Sequence, residues 1–388
     1  MKLLIINYMA LPVPPVKGGA VEYLVDAFLR DNEKNHFHDI VVYSIYDAAA
    51  QEESKNYNYT EFKFVKIDRT ADKISRIARH LINRLPNVYI GNVYISKVVR
   101  RERDLNQYDA VIIENAPEFG LKIPKTFQNR LILHLHNDYL NSNSKQARKI
   151  FNRYDEIYTI SNSLGACVQT IERSNKVKTL YNGIDLDRFA PRPDMRAHMR
   201  QKYNIAADDF VFMYCGRIVP DKGVLELAEA FGAIKDDKVK LFIVGGIGYS
   251  NQETSAYKEQ VLKAAGHNVI CTGFVPYAEM PLLYAIPDVG VVPSIFNDPF
   301  NLTAIEFCAN GVPLVISDRG AMKELVNSNC AVIAKCDETF AANIYQALQH
   351  MLENRSGLGE MGAAAKKVSE EFGIDQYCGR FNKLLANV

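Results

Sequence analysis

The chain carries almost no net charge: 46 Lys+Arg against 45 Asp+Glu leave a formal +1 over 388 residues. That balance excludes the strongly basic composition of a nucleic-acid binder. Long apolar runs are also missing. Nothing approaches the roughly 18 consecutive apolar residues of a membrane-spanning helix. The opening MKLLIINYMALPV is cut by Pro12 and has no small-residue cleavage site, so no spanning segment is expected. The seven cysteines form no CxxC pair. Their odd number and apolar neighbours predict reduced, mostly buried thiols in a cytoplasmic protein, and none has the basic surroundings of a nucleophile. There is no short-period repeat, no low-complexity tract, and no complete GxGxxG or Walker pattern.

What is present is a soluble, globular composition, 48% hydrophobic and 23% charged. The length fits two domains of about 150–200 residues each. Charge divides unevenly between them. Residues 1–190 hold 27 Lys+Arg and 22 Asp+Glu, a net of +5, which leaves 19 and 23, a net of −4, for the rest. A mildly basic first half facing something anionic is the expectation.

Apolar strand-like runs alternate with helical patterns along the whole chain. In the first half they are LLIINY, DIVVYSI, FKFVKI, DAVIIEN, RLILHLH, EIYTIS and VKTLYNG. In the second they are FVFMYCGR, KLFIVGG, NVICTGF, VGVVPS, PLVIS and CAVIA. Near-continuous apolar strands in βαβ alternation predict an α/β fold with parallel sheets covered on both faces. The pattern occurs twice, with turn residues, prolines and charges clustered at 181–194 between the two series. We expect domains at 1–185 and 186–365. A final helical segment, 366–388, would cross back to the first domain through Phe372, Tyr377, Phe381 and Leu384. Two doubly wound Rossmann-like domains would face each other across a cleft, with ligands at the carboxyl ends of their strands.

Four constellations fall at such ends. Gly18 and Gly19 open an amphipathic helix after the first strand, where glycines let backbone N–H groups approach a phosphate; taken alone, a tight turn explains them better. Arg217 and Lys222 flank the turn after FVFMYC, and two cations there suit a diphosphate. Asp298 follows VGVVPS, the amides of Phe300, Asn301, Leu302 and Thr303 start the next helix, and Glu306 lies within it. Helix-start amides suit a phosphate, and each carboxylate can accept two hydroxyl hydrogen bonds, as a hexose and a ribose would offer. The bland alternative has Asp298 capping the helix and Glu306 paired with a basic neighbour. His134 and His136 alternate on one strand and share a face. A metal pair is conceivable, but no third ligand stands at suitable spacing. His136 is expected at the exposed carboxyl end and His134 buried. Asp185 and Asp187, in a DLD sequence, sit in the linker and read as structural.

In order along the chain, the GG after the first strand, SNSL at 161–164, NGIDLDRFAP, GRIVPDKG, FIVGGIG, TGFVP and PSIFNDPFNLTAIEFCANGVPLVIS resemble a family 4 retaining glycosyltransferase with the GT-B fold. The resemblance places the family's E-x7-E pattern on Asp298 and Glu306. It implies that Asp298 contacts the transferred sugar and that Glu306 holds the ribose. Arg217 and Lys222 would bind the diphosphate, the backbone near Phe274 and Val275 the base, and His136 would lie near the sugar. Two departures concern the sugar and not the nucleotide: Asp stands for the first Glu, and Asn301 for the usual glycine.

The implied activity is retaining, metal-independent transfer from a nucleotide diphosphate sugar, UDP-linked, to a glycan or lipid-linked acceptor of envelope polysaccharide or glycolipid synthesis. No cofactor and no metal are expected. A nucleotide-sugar epimerase on the same fold and a catalytically weak nucleotide-sugar-binding partner subunit are the alternatives. Between Ala71 and Arg103 lie Lys73, Arg76, Arg79, Arg84, Lys97, Arg100, Arg101 and Arg103 against Asp72 and Glu102, eight cations to two acids. With Ile74, Ile77, Leu81 and Ile82 at helical spacing, this cluster opens the option of peripheral contact with an anionic membrane, at the inner face of the plasma membrane.

Overall fold

A computed structural model describes residues 1–67, 92–246 and 256–386. It divides into two compact units: Met1–Asn182 with Tyr377–Val388, and Gly183–Gln376.

The first unit holds seven strands: β1 (Lys2–Ile6), β2 (Asp39–Ile45), β3 (Thr60–Val65), β4 (Ala110–Glu114), β5 (Arg130–Leu135), β6 (Glu156–Thr159) and β7 (Val177–Thr179). They pair in parallel in the order β3-β2-β1-β4-β5-β6-β7. Burial on both faces explains why the strands read as unbroken apolar runs; all of Leu3–Ile6 and Ala110–Ile113 are at most 1% exposed. The helix Ile374–Ala386 reaches this unit at Tyr377. There Phe381 packs on Phe28 with centroids 4.5 Å apart, and Arg130 donates to the Leu384 carbonyl at 3.1 Å.

The second unit holds β8 (Phe210–Cys215), β9 (Val239–Val244), β10 (Val269–Gly273), β11 (Val289–Val292), β12 (Leu314–Ser317) and β13 (Ala331–Ala334), also all parallel, in the order β10-β9-β8-β11-β12-β13. Its core runs from Phe212 and Leu241 through Leu227 and Phe231 to Ile344 and Leu348. At the amino end, Asp288 accepts from the Val211 amide at 2.8 Å and from the buried Arg200 guanidinium at 2.8 Å, fixing β11 beside β8.

Strand order reverses between β1 and β4 in one sheet and between β8 and β11 in the other. These are the switch points, where loops leave in opposite directions and open a crevice at the strands' carboxyl ends.

Of the basic cluster, Lys73, Arg76, Arg79 and Arg84 lie outside the described residues. Lys97, Arg100 and Arg101 lie on the helix Val93–Arg101. Glu102 is buried and accepts from Lys63, Tyr43 and Tyr108 at 2.6, 2.8 and 2.9 Å. Its charge is neutralised internally and does not offset the arginines beside it. Among the described residues no helix is long and apolar enough to cross a membrane.

Candidate functional site

The switch point of the second unit brings together the loop after β8 and the loop after β11. Arg217, exposed, follows β8, and a short turn over Pro220–Lys222 ends at Gly223. Gly223 has φ +65°, and a Cβ there would lie 1.9 Å from the Pro293 carbonyl oxygen. Only glycine permits both that conformation and that approach. The Asp221 carbonyl then accepts from the amides of Ile295 and Phe296, each at 3.0 Å. On the other side Asp298 receives the Ala321 amide on its carbonyl at 3.0 Å, next to Gly320, where a Cβ would collide with the Asp298 backbone. The backbone around Asp298 is therefore clamped from two directions.

Between these loops Lys222 Nζ lies 2.8 Å from Asp298 Oδ2, both side chains mostly buried. Asn301 Nδ2 donates to the same oxygen at 3.2 Å. Asn301 also caps the helix Leu302–Ala309, its Oδ1 accepting from the Ala304 amide at 3.0 Å. The cap is thus Asn301 and not Asp298. The amides of Leu302 and Thr303 stand in the first turn, where a helix supplies no acceptor. Phe300, by contrast, is buried, its ring 5.7 Å from that of Phe372.

One helical turn further, Glu306 is 4% exposed. Its hydrogen bonds come from tyrosines: Tyr284 donates to Oε2 at 2.5 Å and Tyr277 to Oε1 at 3.1 Å. Burial pushes the Glu306 carboxyl above the usual glutamate range. The two hydroxyls and the charge of Arg188 pull it only part of the way back. Arg188 lies over the Tyr277 ring at 4.5 Å and donates to the Tyr277 carbonyl at 3.0 Å. Phe274 and Val275 are half-buried just after β10, whose last residue, Gly273, accepts from the Gly245 amide at 3.0 Å. Sequence reasoning missed Arg188, Tyr277 and Tyr284. Nothing in their spacing announces that two tyrosines seven positions apart meet one glutamate.

In the first unit the space above Gly19 is taken by protein. Gly19 has φ +106° and precedes the helix Ala20–Asn35, and a Cβ there would stand 2.1 Å from Glu22 Oε2. Glu22 is itself buried, and its carboxyl is raised by that burial. Gly19 thus has a structural reason of its own, whereas Gly18, at φ +76°, has open space where a Cβ would stand. Beside them, β4 and β5 bring three groups together: Glu114 Oε2 lies 3.0 Å from His134 Nδ1 and 3.0 Å from His136 Nε2. This corrects two expectations. His136 is buried, at 5% exposure, because its ring turns back onto Glu114 and its amide donates to Asn115 Oδ1 at 3.0 Å. A third potential ligand does exist; it comes from the neighbouring strand, where His134 pairs in register with Glu114, so spacing along the chain could not show it. Among the described residues these three are the group whose donor atoms could hold a metal ion.

Two doubly wound parallel sheets, of seven and six strands, make up the GT-B fold. HepE of Anabaena in complex with UDP shares it, with a TM-score of 0.77 at 18% identity over all of both chains. Residues 195–368 match the family model for glycosyl transferases group 1. The Bacillus subtilis protein YtcC is 23% identical over 405 residues, covering 100% of this chain and 92% of its own. The lipopolysaccharide 1,2-N-acetylglucosaminetransferase of Salmonella typhimurium is 30% identical over 234 residues, 58% of this chain and 59% of its own. The chain is similar to the group 1 glycosyltransferases, and residues 195–368 carry that likeness.

The buried cluster makes a pH prediction. Burial, with the neighbouring His134, holds the His136 imidazolium down at about 4 against an ordinary 6.5. The imidazoles hold Glu114 down at about 2 against an ordinary 4.5, overcoming its burial. Both depressions mean that the unfolded chain binds more protons, so stability falls with pH, first between 6.5 and 4 through His136 and then between 4.5 and 2 through Glu114. Urea unfolding followed at pH 7.5, 6 and 5 should show declining stability, and His136→Gln should flatten the decline. An unchanged slope in a folded variant would remove His136 from the titration.

Proposed function

We propose that the chain is a retaining glycosyltransferase, of the family 4 type, that takes a sugar from a UDP-linked donor and places it on the hydroxyl of a lipid-linked glycan, without a metal. The observation that carries this reading is the group at the β8–β11 switch point: Lys222 against Asp298, uncommitted helix-start amides beside them, and a buried glutamate one turn on. A diphosphate placed there meets Lys222, Arg217 and the amides of Leu302 and Thr303. Glu306 retains lone pairs for two ribose hydroxyls, since each oxygen takes one tyrosine bond. Uracil as the base is supported by the likeness to HepE with UDP, and an envelope glycan by the Salmonella relative's named role. Phe274 and Val275 are the candidate base contacts. In the first unit, His136 and the Gly18–Gly19 turn are the candidate groups.

In the proposed reaction the bond between the sugar's anomeric carbon and the diphosphate oxygen breaks, and a bond to the acceptor oxygen forms on the same face. The acceptor's proton passes to the leaving phosphate oxygen. Negative charge grows on the diphosphate, so preorganised cations and amides stabilise the transition state more than the ground state. Lys222→Ala should lower kcat about 10²–10³-fold, and EDTA should leave the wild type active.

The raised Glu306 sets a pH dependence. An ionised carboxylate accepts hydroxyl bonds on both oxygens, and protonation weakens them and turns one oxygen into a donor, so donor KM should climb as pH falls, from a higher pH than an ordinary glutamate would give. Glu306→Gln should abolish that climb and raise KM at pH 8, each lost bond to a charged group costing about 1.5–3 kcal/mol, roughly 10–150-fold. Wild-type KM for both UDP- and GDP-sugars in Glu306→Gln would remove the ribose role.

The acceptor reading rests on Lys97, Arg100, Arg101 and Arg103 with the basic residues of 73–84, where each cation near an anionic lipid surface contributes about 1 kcal/mol. The chain should sediment with phosphatidylserine vesicles, and Arg100→Glu with Arg101→Glu should weaken this. Indifference to lipid charge and to the substitutions would point to a soluble acceptor.

A further inference from the structure

We infer that Asn301 selects the donor sugar, by fixing the Asp298 carboxylate so that a single oxygen, Oδ1, is offered to it. The inference rests on the donor site proposed above.

Asp298 and Asn301 are the two positions where the chain departs from the E-x7-E pattern with its glycine, and they touch. The orientation of the Asn301 amide is dictated from both ends. Its oxygen must face the Ala304 N–H, which donates at 3.0 Å, and its nitrogen must then face Asp298 Oδ2, at 3.2 Å. A flipped amide would set donor against donor at the helix and oxygen against oxygen at Asp298. The side chain is therefore a strut between the helix start and the carboxylate. Lys222 takes the same Oδ2 at 2.8 Å. With two donors on Oδ2, one of them charged, the carboxylate cannot turn without giving up both. Its other oxygen is left for a ligand. The Asp298 backbone is held as well, by Ala321 and Gly320, so the acceptor has a fixed position.

An acceptor fixed in place discriminates by geometry. A donor whose hydroxyl reaches Oδ1 keeps a charge-assisted hydrogen bond, and its epimer leaves that oxygen unmatched. The strut is what prevents the carboxylate from following the epimer. A glycine at 301 would remove it, and so would any side chain too short to span from the cap to Asp298.

Serine separates the two duties of Asn301. It caps a helix about as well as asparagine but does not reach Asp298. Alanine removes both duties. The measurement is nucleotide release without acceptor from UDP-glucose and UDP-galactose, expressed as the ratio of their kcat/KM values, with urea midpoints as a folding control. Asn301→Ser should move the ratio at least 10-fold toward 1 while keeping the wild-type midpoint, and Asn301→Ala should move it equally with a lowered midpoint. In an Asp298→Asn background, Asn301→Ser should leave the ratio unaltered, because the fixed carboxylate is already gone. A wild-type ratio in Asn301→Ser, with loss confined to Asn301→Ala, would show a helix cap and nothing more. A wild-type protein that neither binds UDP by calorimetry nor releases it from either donor would overturn the donor-site reading itself.

Discussion

The Lys222–Asp298 pair is the contact on which the second unit's site depends. Its two residues come from loops that leave adjacent parallel strands at a switch point, and the backbone has been shaped to let them meet. Gly223 allows the first loop to touch Pro293, Asp221 takes two amides of the second, and Gly320 lets a third segment close against Asp298. A cation and a carboxylate held this way are largely removed from water, where their attraction is stronger and their misplacement costlier. The helix that begins at Leu302 adds its first-turn amides to the same place. Glu306, one turn later, keeps its carboxylate ready through two tyrosine hydroxyls and at the cost of burial.

The first unit follows the same topology with different chemistry. At its switch point a carboxylate shared by two imidazoles is found, with Glu22 close to Gly19. In the same arrangement Asn115, at φ 51°, takes a left-handed conformation, and its side-chain oxygen accepts from the amide of His136, the residue after β5.

Much of the fold was legible in the sequence. Each of the thirteen apolar runs is a strand, because parallel strands covered on both faces need unbroken apolar residues. The helix start before Glu306 was legible too, though its cap is Asn301 and not Asp298. What sequence could not supply was contact between elements far apart in the chain. Lys222 and Asp298 are 76 residues apart, and Glu114 reaches the histidines from the next strand. The bland alternative paired Glu306 with a basic neighbour, and its hydrogen bonds come from tyrosines instead, since nothing local fixes what a buried carboxylate meets. The His136 ring was expected outside because its neighbours in sequence, Asn137 and Asp138, are polar; its neighbours in space are not those.

The central claim is that a nucleotide diphosphate seats on the Lys222–Asp298 loops and the helix start at Leu302. Hydrogen exchange with and without UDP tests it most directly, since amide protection reports where a ligand sits whatever its effect on turnover. UDP should slow exchange in peptides covering 216–224 and 297–306, and Lys222→Ala should reduce that protection. Protection confined to the first unit, or none in these two segments at saturating UDP, would contradict it.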